Sequence, residues 1–351
     1  MKSDDWTTLS CPLPSQEHAA AAENRQNSLT KPPGSLGILE RLAVRLAALQ
    51  ETERPKVDDA RIILFAGDHG ITLHGVSAYP SAVTVQMLHN FATGGAAISV
   101  LARELRAPLE VVDVGTLATT EIPGVVRDKQ CAGTRDFSTE PAMTIEEAQF
   151  AMAAGRRAVQ RAAVGADLLI LGEMGIGNTT SAAAVASALL SKSPDDLVGR
   201  GTGLDNKGVE HKARMINAAL KLHGLGGTEK SPLETLACVG GLEIAALTGA
   251  IISSAQSRVP VLIDGFIVSV AALLAVRINP SCKEWLVYSH RSYEQGHQQV
   301  LEALDAEPLL DLKLRLGEGS GAALALPIVK LVCALHAGMA TFDEANVSGR
   351  G

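Results

Sequence analysis

The chain repeats one local pattern: a short apolar run, a loop rich in glycine and polar residues, and then a helical segment. The apolar runs begin at Arg61, Leu109, Asp167, Val259 and Trp285. Strands that are separated by helical crossovers pair in parallel, and a parallel sheet needs helices on both faces. The sequence therefore predicts an α/β fold with a parallel sheet at its centre and helices on both sides.

Polar side chains stand at the ends of the predicted strands. Asp68, Glu173, Asp264 and Ser289 each follow an apolar run closely. Parallel strands bring their carboxyl ends to one edge of the sheet, and open α/β sheets bind ligands in the crevice there. We therefore expect these four side chains to lie close together. For Asp68 two roles stay open, because it could orient a ligand or a neighbouring histidine, or it could cap the next turn.

The most informative loop is Gly172-Glu-Met-Gly-Ile-Gly-Asn-Thr-Thr180, which joins a predicted strand to an alanine-rich helix. Glycines let a ligand approach the backbone closely, and the N–H groups of a helix N-terminus attract anions. The loop lacks the lysine of a nucleoside-triphosphate P-loop and matches the dinucleotide fingerprint poorly, so it predicts another kind of phosphate site. Glu173 is either a second carboxylate of that site or a turn residue.

A further glycine-rich loop runs from Val198 to Lys207 and leads into a predicted helix. A lysine in such a loop can contact phosphate, but most lysines are simply solvated. The residues alone leave both roles open for Lys207.

The loop Arg315-Leu-Gly-Glu-Gly-Ser-Gly-Ala322 places one carboxylate, Glu318, among glycines and before a long apolar helix. Gly317 and Gly319 let the backbone turn sharply. Taken alone, Glu318 is as consistent with a helix cap as with a catalytic group. The amphipathic segment Leu301–Leu312 is predicted to be the helix that leads to this loop.

Composition argues against several functions. The net charge of -7, with no basic cluster, argues against nucleic-acid binding, because phosphate contacts need clustered Lys and Arg. The apolar stretches Leu236–Gln256 and Val259–Val276 contain acids and glycines, so buried helices and strands explain them better than a membrane does. The N-terminal residues lack the apolar core of a signal peptide, which predicts a cytoplasmic protein.

Cysteine and histidine show no metal-binding or disulfide pattern. The five cysteines are far apart and the nine histidines are scattered. Because neither CxxC nor HExxH occurs, we expect reduced thiols, no metal and no cofactor.

Five motifs occur in a fixed order. They are Lys31-Pro-Pro-Gly-Ser-Leu-Gly37, Gly67-Asp-His-Gly70, the Gly172–Thr180 loop, Leu262-Ile-Asp-Gly-Phe266 and Arg315-Leu-Gly-Glu-Gly-Ser-Gly-Ala-Ala323. With them, over nearly its whole length, the chain resembles the nicotinate-nucleotide–dimethylbenzimidazole phosphoribosyltransferase (CobT) family, whose members make the lower-ligand nucleotide of cobalamin. Several motifs in order are far more specific than any one of them.

The resemblance implies a Rossmann-like large domain, a small helical domain made from both termini, and a homodimer. Residues 1–56 would form the helical N-terminal part of the small domain, and residues 57–310 the large α/β domain. Residues 311–351 would supply the active-site loop and a C-terminal helix that completes the site and the small domain.

The resemblance also implies the transfer of 5-phosphoribose from nicotinate mononucleotide to a benzimidazole-type base, with inversion at C1. The family's catalytic base falls on Glu318, and Glu173 is the candidate that stabilises positive charge on the ribose. The phosphate would lie on the Gly175–Gly177 backbone. The predicted substrate contacts outside the base pocket are Gly175, Gly177, Asn178, Thr179, Lys207, Asp264, Ser289, Gly317 and Gly319.

The base pocket implied by the resemblance is lined by Tyr79, Gln86, Met87 and Leu316. Two other functions remain open. A relative that activates phenolic or purine bases would differ in the region of Tyr79. A non-catalytic nucleotide-binding protein would not need two acids, Glu318 and Glu173, near an anion site.

Overall fold

The computed structural model describes residues 5–225 and 230–348, and its strands form one parallel sheet. The strands are β1 Ala60–Gly67, β2 Leu109–Gly115, β3 Val125–Arg127, β4 Leu168–Met174, β5 Val261–Ile263 and β6 Leu286–Tyr288. Their spatial order is β3-β2-β1-β4-β5-β6, and every neighbouring pair is parallel. The predicted parallel sheet is confirmed, and its order is that of a doubly wound, Rossmann-like fold.

The strand order reverses between β1 and β4, near the middle of the sheet. Phe65 of β1 pairs with Val112 of β2 on one side and with Glu173 of β4 on the other. At such a reversal the loops that follow the two strands turn away from each other, and a crevice opens at the carboxyl edge. The fold therefore places its natural ligand site next to Glu173.

Helices cover both faces of the sheet, as predicted. They are α1 Gln16–Ser28, α2 Ile38–Gln50, α3 Ala82–Thr93, α4 Ala97–Leu105, α5 Ile145–Ala162, α6 Asn178–Leu190, α7 Pro194–Leu197, α8 Asn206–Leu222, α9 Pro232–Val239, α10 Leu242–Gln256, α11 Phe266–Ile278, α12 His297–Leu304 and α13 Ser320–Gly338. Side chains alternate along each strand, so Ile63 and Phe65 pack against α5, α10 and α11, whereas Ile62 and Leu64 pack against α2, α4 and α13.

The two ends of the chain pack together. Arg25 of α1 donates hydrogen bonds to the carbonyl oxygens of His336 and Met339, and the Gln26 amide lies 2.7 Å from Nδ1 of His336. The terminal helices thus form one layer, as expected for a small helical part made from both termini. The domain boundaries at residues 56 and 310 stay a prediction. Residues 1–4 and 349–351 of the terminal segments lie outside the described residues.

Two local predictions differ from the structure. The edge strand β3 has only three residues, none of them buried, and its sequence has no apolar run to reveal it. The predicted helix Leu301–Leu312 is wrong beyond Leu304, because Asp305 adopts a left-handed conformation with φ of 53° and ends α12. Pro308 then disfavours helix in the residues before it.

The apolar stretches noted in the sequence form α10, β5 and α11, and nearly all of their side chains are buried in the core. Among the described residues, α13 is the helix that by length and composition could cross a membrane, a test that buried core helices also pass. Half of its apolar window lies inside the protein.

Candidate active site

A cavity of about 480 Å³ opens where β4, β5 and β6 end. Glu173 and Asp264 line it together with Glu318 from the glycine loop before α13. The structure therefore brings Glu173 and Asp264 together as expected, whereas Asp68, predicted at the same edge, is not part of the lining. Ser289 stands just outside the lining, fully buried, and its hydroxyl lies 2.9 Å from Nδ1 of His290, which does line the cavity.

The β4–α6 loop supplies one wall through Gly175, Asn178 and Thr179. A side chain at Gly175 would collide with the carbonyl oxygen of Gly67, so this glycine allows the β1 and β4 loops to touch. Gly177 has a left-handed φ of 95° and starts α6, but it does not line the cavity itself. The loop has the anion-attracting helix start that the sequence predicted.

Glu173 is a buried carboxyl group at the end of β4. Its Oε2 accepts a hydrogen bond from the Asn178 side-chain amide. Burial, and then the nearby acids Asp264 and Glu243, raise the pKa of Glu173 to about 8. The uncomplexed site therefore holds Glu173 mostly as the neutral acid at pH 7.

Glu318 is 7% exposed and reaches the cavity from a left-handed backbone, with φ of 63° between Gly317 at 88° and Gly319 at 82°. Its Oε2 accepts the Ile98 N–H at 3.1 Å in the first turn of α4. Glu318 therefore binds the N-terminus of α4 and does not cap α13, the helix that follows it in sequence. It also faces the cavity. Burial raises the pKa of Glu318, and the bond from Ile98 opposes this rise.

The glycine at position 317 is required by the packing of Glu173. A Cβ there would collide with Oε1 of Glu173, and φ is already left-handed. We expect Gly317→Ala to destabilise the protein by about 1–3 kcal/mol, through strain and displacement of the buried carboxyl. Urea unfolding measures this. Gly338→Ala is the matched control, because Gly338 ends α13 with open space around it. Equal stabilities for the two variants would contradict the packing role.

Asp264 joins the end of β5 to the start of α13. Its Oδ1 accepts the Ala322 N–H at 2.9 Å and lies 3.8 Å from Nδ1 of His290. Burial raises the pKa of Asp264, and the neighbouring His290 opposes the rise. The residue therefore fixes the loop that carries Glu318 while also presenting itself to the cavity.

A buried lysine, Lys212, stands behind the glycine loop, and sequence analysis missed it. It is 1% exposed, and its Nζ donates a 2.6 Å hydrogen bond to Oγ1 of Thr179. Burial lowers the pKa of Lys212 to about 8. The predicted Lys207 is exposed near the start of the same helix, and neither lysine is itself part of the cavity lining. The sequence did carry one signal: the helical spacing of Lys212 from Ile216 and Ala219 puts this lysine on the buried face of α8.

The rim of the cavity is apolar. Tyr79, Met87 and Leu316 line it, as predicted for a base pocket, and Tyr79 and Leu316 are more than half exposed. Gln86 is exposed and is not part of the lining. Phe266 adds a further aromatic side chain that the sequence did not assign.

The Asp68-His69 pair forms a buried network that does not line the cavity. Asp68 accepts the Leu117 N–H at 2.8 Å, which ties the β1 end to the β2 end. Nε2 of His69 lies 2.8 Å from Oε1 of Glu243, and its Nδ1 lies 2.9 Å from Oγ of Ser181 in α6. Through Ser181, these contacts hold the first turn of α6 and so fix the β4–α6 loop on the side away from the cavity lining. Glu243 is far away in sequence and carried no signal of this partnership.

No group of three or more His, Cys, Asp or Glu side chains arranged for a metal occurs within residues 5–225 and 230–348. The polar side chains of the cavity are acids, one histidine, one arginine (Arg315), the Asn178 amide and hydroxyl groups, and the N-terminus of α6 adds N–H groups that attract anions. Such a set suits a cationic or polarised sugar with an anionic tail.

Comparison with known proteins agrees with this geometry. The model of the DBI_PRT family, described as phosphoribosyltransferase, matches residues 11–347. A protein of Bradyrhizobium sp. strain BTAi1 named nicotinate-nucleotide--dimethylbenzimidazole phosphoribosyltransferase is 63% identical over 347 residues, covering 99% of both chains. A protein of the same name from Pseudomonas putida KT2440 is 60% identical over 331 residues, or 94% of both chains.

The fold has a solved counterpart. The crystal structure of CobT from Thermus thermophilus superposes with a TM-score of 0.91 at 45% identity, covering 95% of this chain and 100% of that one. A Rossmann-like fold whose sheet edge carries buried acids beside a helix N-terminus, in a chain similar to these proteins over nearly its whole length, is that of a phosphoribosyl-transferring enzyme. The chain belongs to the DBI_PRT family of phosphoribosyltransferases.

Proposed function

We propose that this enzyme transfers 5-phosphoribose from nicotinate mononucleotide to 5,6-dimethylbenzimidazole or a closely related base. The C1–N bond to nicotinate breaks, a bond from C1 to a ring nitrogen of the acceptor forms, and the acceptor loses its N–H proton. The products are α-ribazole 5′-phosphate and nicotinate, for assembly of the cobalamin lower ligand. The observation that carries this proposal is the pair Glu173 and Glu318, two buried carboxyl groups facing one cavity beside an anion-attracting helix start.

Glu318 is the general base in this scheme. Its burial raises the pKa of the carboxyl, which makes the ionised form a stronger base. The Ile98 N–H holds one carboxylate oxygen at 3.1 Å, so the other can accept the acceptor's ring proton. The leaving nicotinate needs little acid help, because its pyridinium nitrogen is positive and becomes neutral on departure.

Glu173 stabilises the ribose as positive charge develops at C1. The cationic donor favours the ionised carboxyl, so donor binding lowers a pKa that burial holds at about 8 in the free site. Its partner Asn178 orients one oxygen by a hydrogen bond. Because Glu173 ionises only when the cationic donor is bound, its negative charge stabilises the developing positive charge on the ribose and not the free enzyme.

The phosphate lies at the start of α6, where Gly175, Asn178 and Thr179 form the wall. Lys212 supports this assignment best, because its buried ammonium group already contacts Thr179. Further substrate contacts are proposed near the phosphate wall. They are Asp264, Ser289, Gly177, Gly317 and Gly319. Lys207 remains a predicted phosphate contact that would require the exposed start of α8 to close over the ligand.

The two lysines can be separated by mutation. We expect Lys212→Met to raise KM for nicotinate mononucleotide by about 10–100-fold, the loss of one charge-assisted hydrogen bond to phosphate. Steady-state kinetics at saturating acceptor measures it. Lys221→Met, an exposed site on the same helix, should behave like wild type. If Lys207→Met raises KM and Lys212→Met does not, the phosphate is held by the exposed lysine.

The acceptor lies against the apolar rim of Tyr79, Met87 and Leu316, with Gln86 as a predicted neighbour on α3. A flat heterocycle suits such walls. Phenolic and purine acceptors are the closest alternative substrates, and the exposed Tyr79 is the residue expected to discriminate among them.

A reaction assay tests the function directly. The protein is mixed with nicotinate mononucleotide and either 5,6-dimethylbenzimidazole, unsubstituted benzimidazole, adenine or phenol. We expect riboside phosphate from the benzimidazoles and a lower kcat/KM for the other two. Product only from phenol or adenine would reassign the acceptor. Nucleotide binding without product from any acceptor would instead favour the non-catalytic alternative.

The enzyme is also proposed to be a cytoplasmic homodimer. Leu324, Leu331 and Leu335 are 40%, 57% and 39% exposed, and their spacing puts them on one face of α13. A second copy related by a two-fold axis would cover this apolar stripe with its own.

Mutation of the stripe tests the dimer. We expect Leu331→Asp to shift the sedimenting species from dimer to monomer, because it places a charge in the buried interface. Leu222→Asp, at an exposed leucine ending α8, is the control. A wild-type protein that sediments as a monomer at micromolar concentration would contradict the proposal.

A further inference from the structure

A second cavity, of about 210 Å³, lies between α2, the stretch from Lys283 to the end of β6, and the stretch from Leu304, where α12 ends, to Leu309. It shares no lining residue with the active-site cavity. It therefore stands where the N-terminal helical layer meets the sheet domain. Neither the proposed reaction nor the acceptor pocket uses it.

One wall of this second cavity carries an unpartnered buried hydroxyl. Tyr288 is 6% exposed, and its Oη has no hydrogen-bond partner among the described residues. Burial raises the pKa of Tyr288, so the group stays a neutral phenol and a donor. A buried hydroxyl without a partner is costly, and such groups usually meet a ligand or water.

The same cavity is lined by Arg45, on which the charge of Glu284 acts without a direct ion pair. Arg45 donates hydrogen bonds to the carbonyl oxygens of Lys283 at 3.2 Å and Glu284 at 3.1 Å, and burial lowers the pKa of its guanidinium. The other two cations at the cavity already have acids: Arg41 pairs with Glu307, and Lys283 lies 3.8 Å from Asp305. Within the described parts of the chain, Arg45 is in no such ion pair.

The rest of the second cavity is apolar. Leu42, Val287 and Leu304 are buried side chains of its lining, and Ile38 and Leu309 are partly buried. A bare inorganic anion would leave this surface without contacts. An anion with a compact hydrocarbon body would use both the donors and the apolar wall.

We propose that the cavity between α2 and β6 binds a small organic carboxylate, whose oxygens accept hydrogen bonds from Arg45 and Tyr288 and whose body packs on Leu42, Val287 and Leu304. The ligand joins the helical layer to the sheet domain. It is a site for a compact acid, separate from catalysis.

The position of the ligand is tested by crystallography. Crystals of the full chain are soaked with 4-bromobenzoate, and the bromine is located by anomalous scattering. We expect a peak between Leu42 and Leu304, whether or not a second peak occupies the active-site cavity. A bromine peak in the active-site cavity alone, or no peak, would overturn the proposal.

Calorimetry tests the donors. We expect Arg45→Met and Tyr288→Phe each to weaken one class of benzoate sites by about tenfold or more. Arg277→Met, at an exposed arginine of α11, should bind like wild type. Tyr288→Phe keeps the packed ring, so it answers the question even if Arg45→Met fails to fold. Unchanged benzoate binding in Tyr288→Phe, or equal affinity for neutral benzamide, would contradict a carboxylate site, and tighter binding of inorganic phosphate would reassign the ligand class.

Discussion

In the Glu318→Gln variant, kcat for phosphoribosyl transfer falls by about 10²–10⁴-fold, which is the range that a positioned general base contributes. The glutamine oxygen still accepts the Ile98 N–H, so the contact with the start of α4 is kept and the fold survives. Steady-state kinetics with both substrates saturating measures the loss, and circular dichroism checks the fold.

The control is Glu302→Gln, which removes an exposed carboxylate on α12 and should keep wild-type turnover. In the wild-type enzyme kcat should rise with pH as Glu318 ionises. Because the pKa of Glu318 is raised, this rise in the pH–rate profile should occur above the 4.5 of an ordinary glutamate. In kcat, which reports the complex where the donor already keeps Glu173 ionised, this rise with pH should vanish in Glu318→Gln. A well-folded variant with a near-normal kcat would remove Glu318 as the base.

Glu173→Gln should lose activity and gain stability at the same time. We expect kcat to fall by about 10²–10³-fold, as when one preorganised electrostatic group is removed. Stability should rise because the pKa of Glu173 is about 8 in the fold, against 4.5 for the ordinary group. The folded protein holds a proton that the unfolded chain releases, so wild-type stability is lost as pH rises from 4.5 through 8.

Glutamine mimics the protonated acid at every pH, so the gain over wild type is absent near pH 4 and largest above pH 8. Its size there is on the order of 5 kcal/mol. Urea unfolding at pH 5 and pH 8.5 measures it, with Glu302→Gln as the control that shows no such trend. A variant that is less stable than wild type at pH 8.5 would contradict the buried, proton-holding state of Glu173.

The sheet was predictable because its central strands are continuous apolar runs that end in glycine and acid. β1 and β4 have this form, whereas β2 contains two acids and ends in Gly115. The strand ends of β4 and β5 indicated the edge where Glu173 and Asp264 meet. β3 was not predictable, because three half-exposed residues gain their strand conformation only from pairing with β2. The end of α12 was hidden by an apolar pattern that continues past Asp305, where the backbone turns left-handed.

The candidate site divides in the same way. Glu318 and Glu173 stand in local glycine patterns, so sequence could single them out. Lys212 sits in an ordinary amphipathic helix, and only its burial against Thr179 distinguishes it from the exposed Lys207. His69 and Glu243 meet across 174 residues, a distance in sequence that no local pattern spans.

The configuration of the product at C1 tests the central claim most directly. Wild-type enzyme is incubated with nicotinate mononucleotide, whose C1 is β, and 5,6-dimethylbenzimidazole, and the anomeric proton of the product is assigned by NMR. Direct attack by the acceptor nitrogen, with Glu318 taking the proton, predicts only the α-riboside phosphate. A β product would require two displacements through an enzyme-bound sugar and would contradict the direct attack by the acceptor on which this mechanism rests.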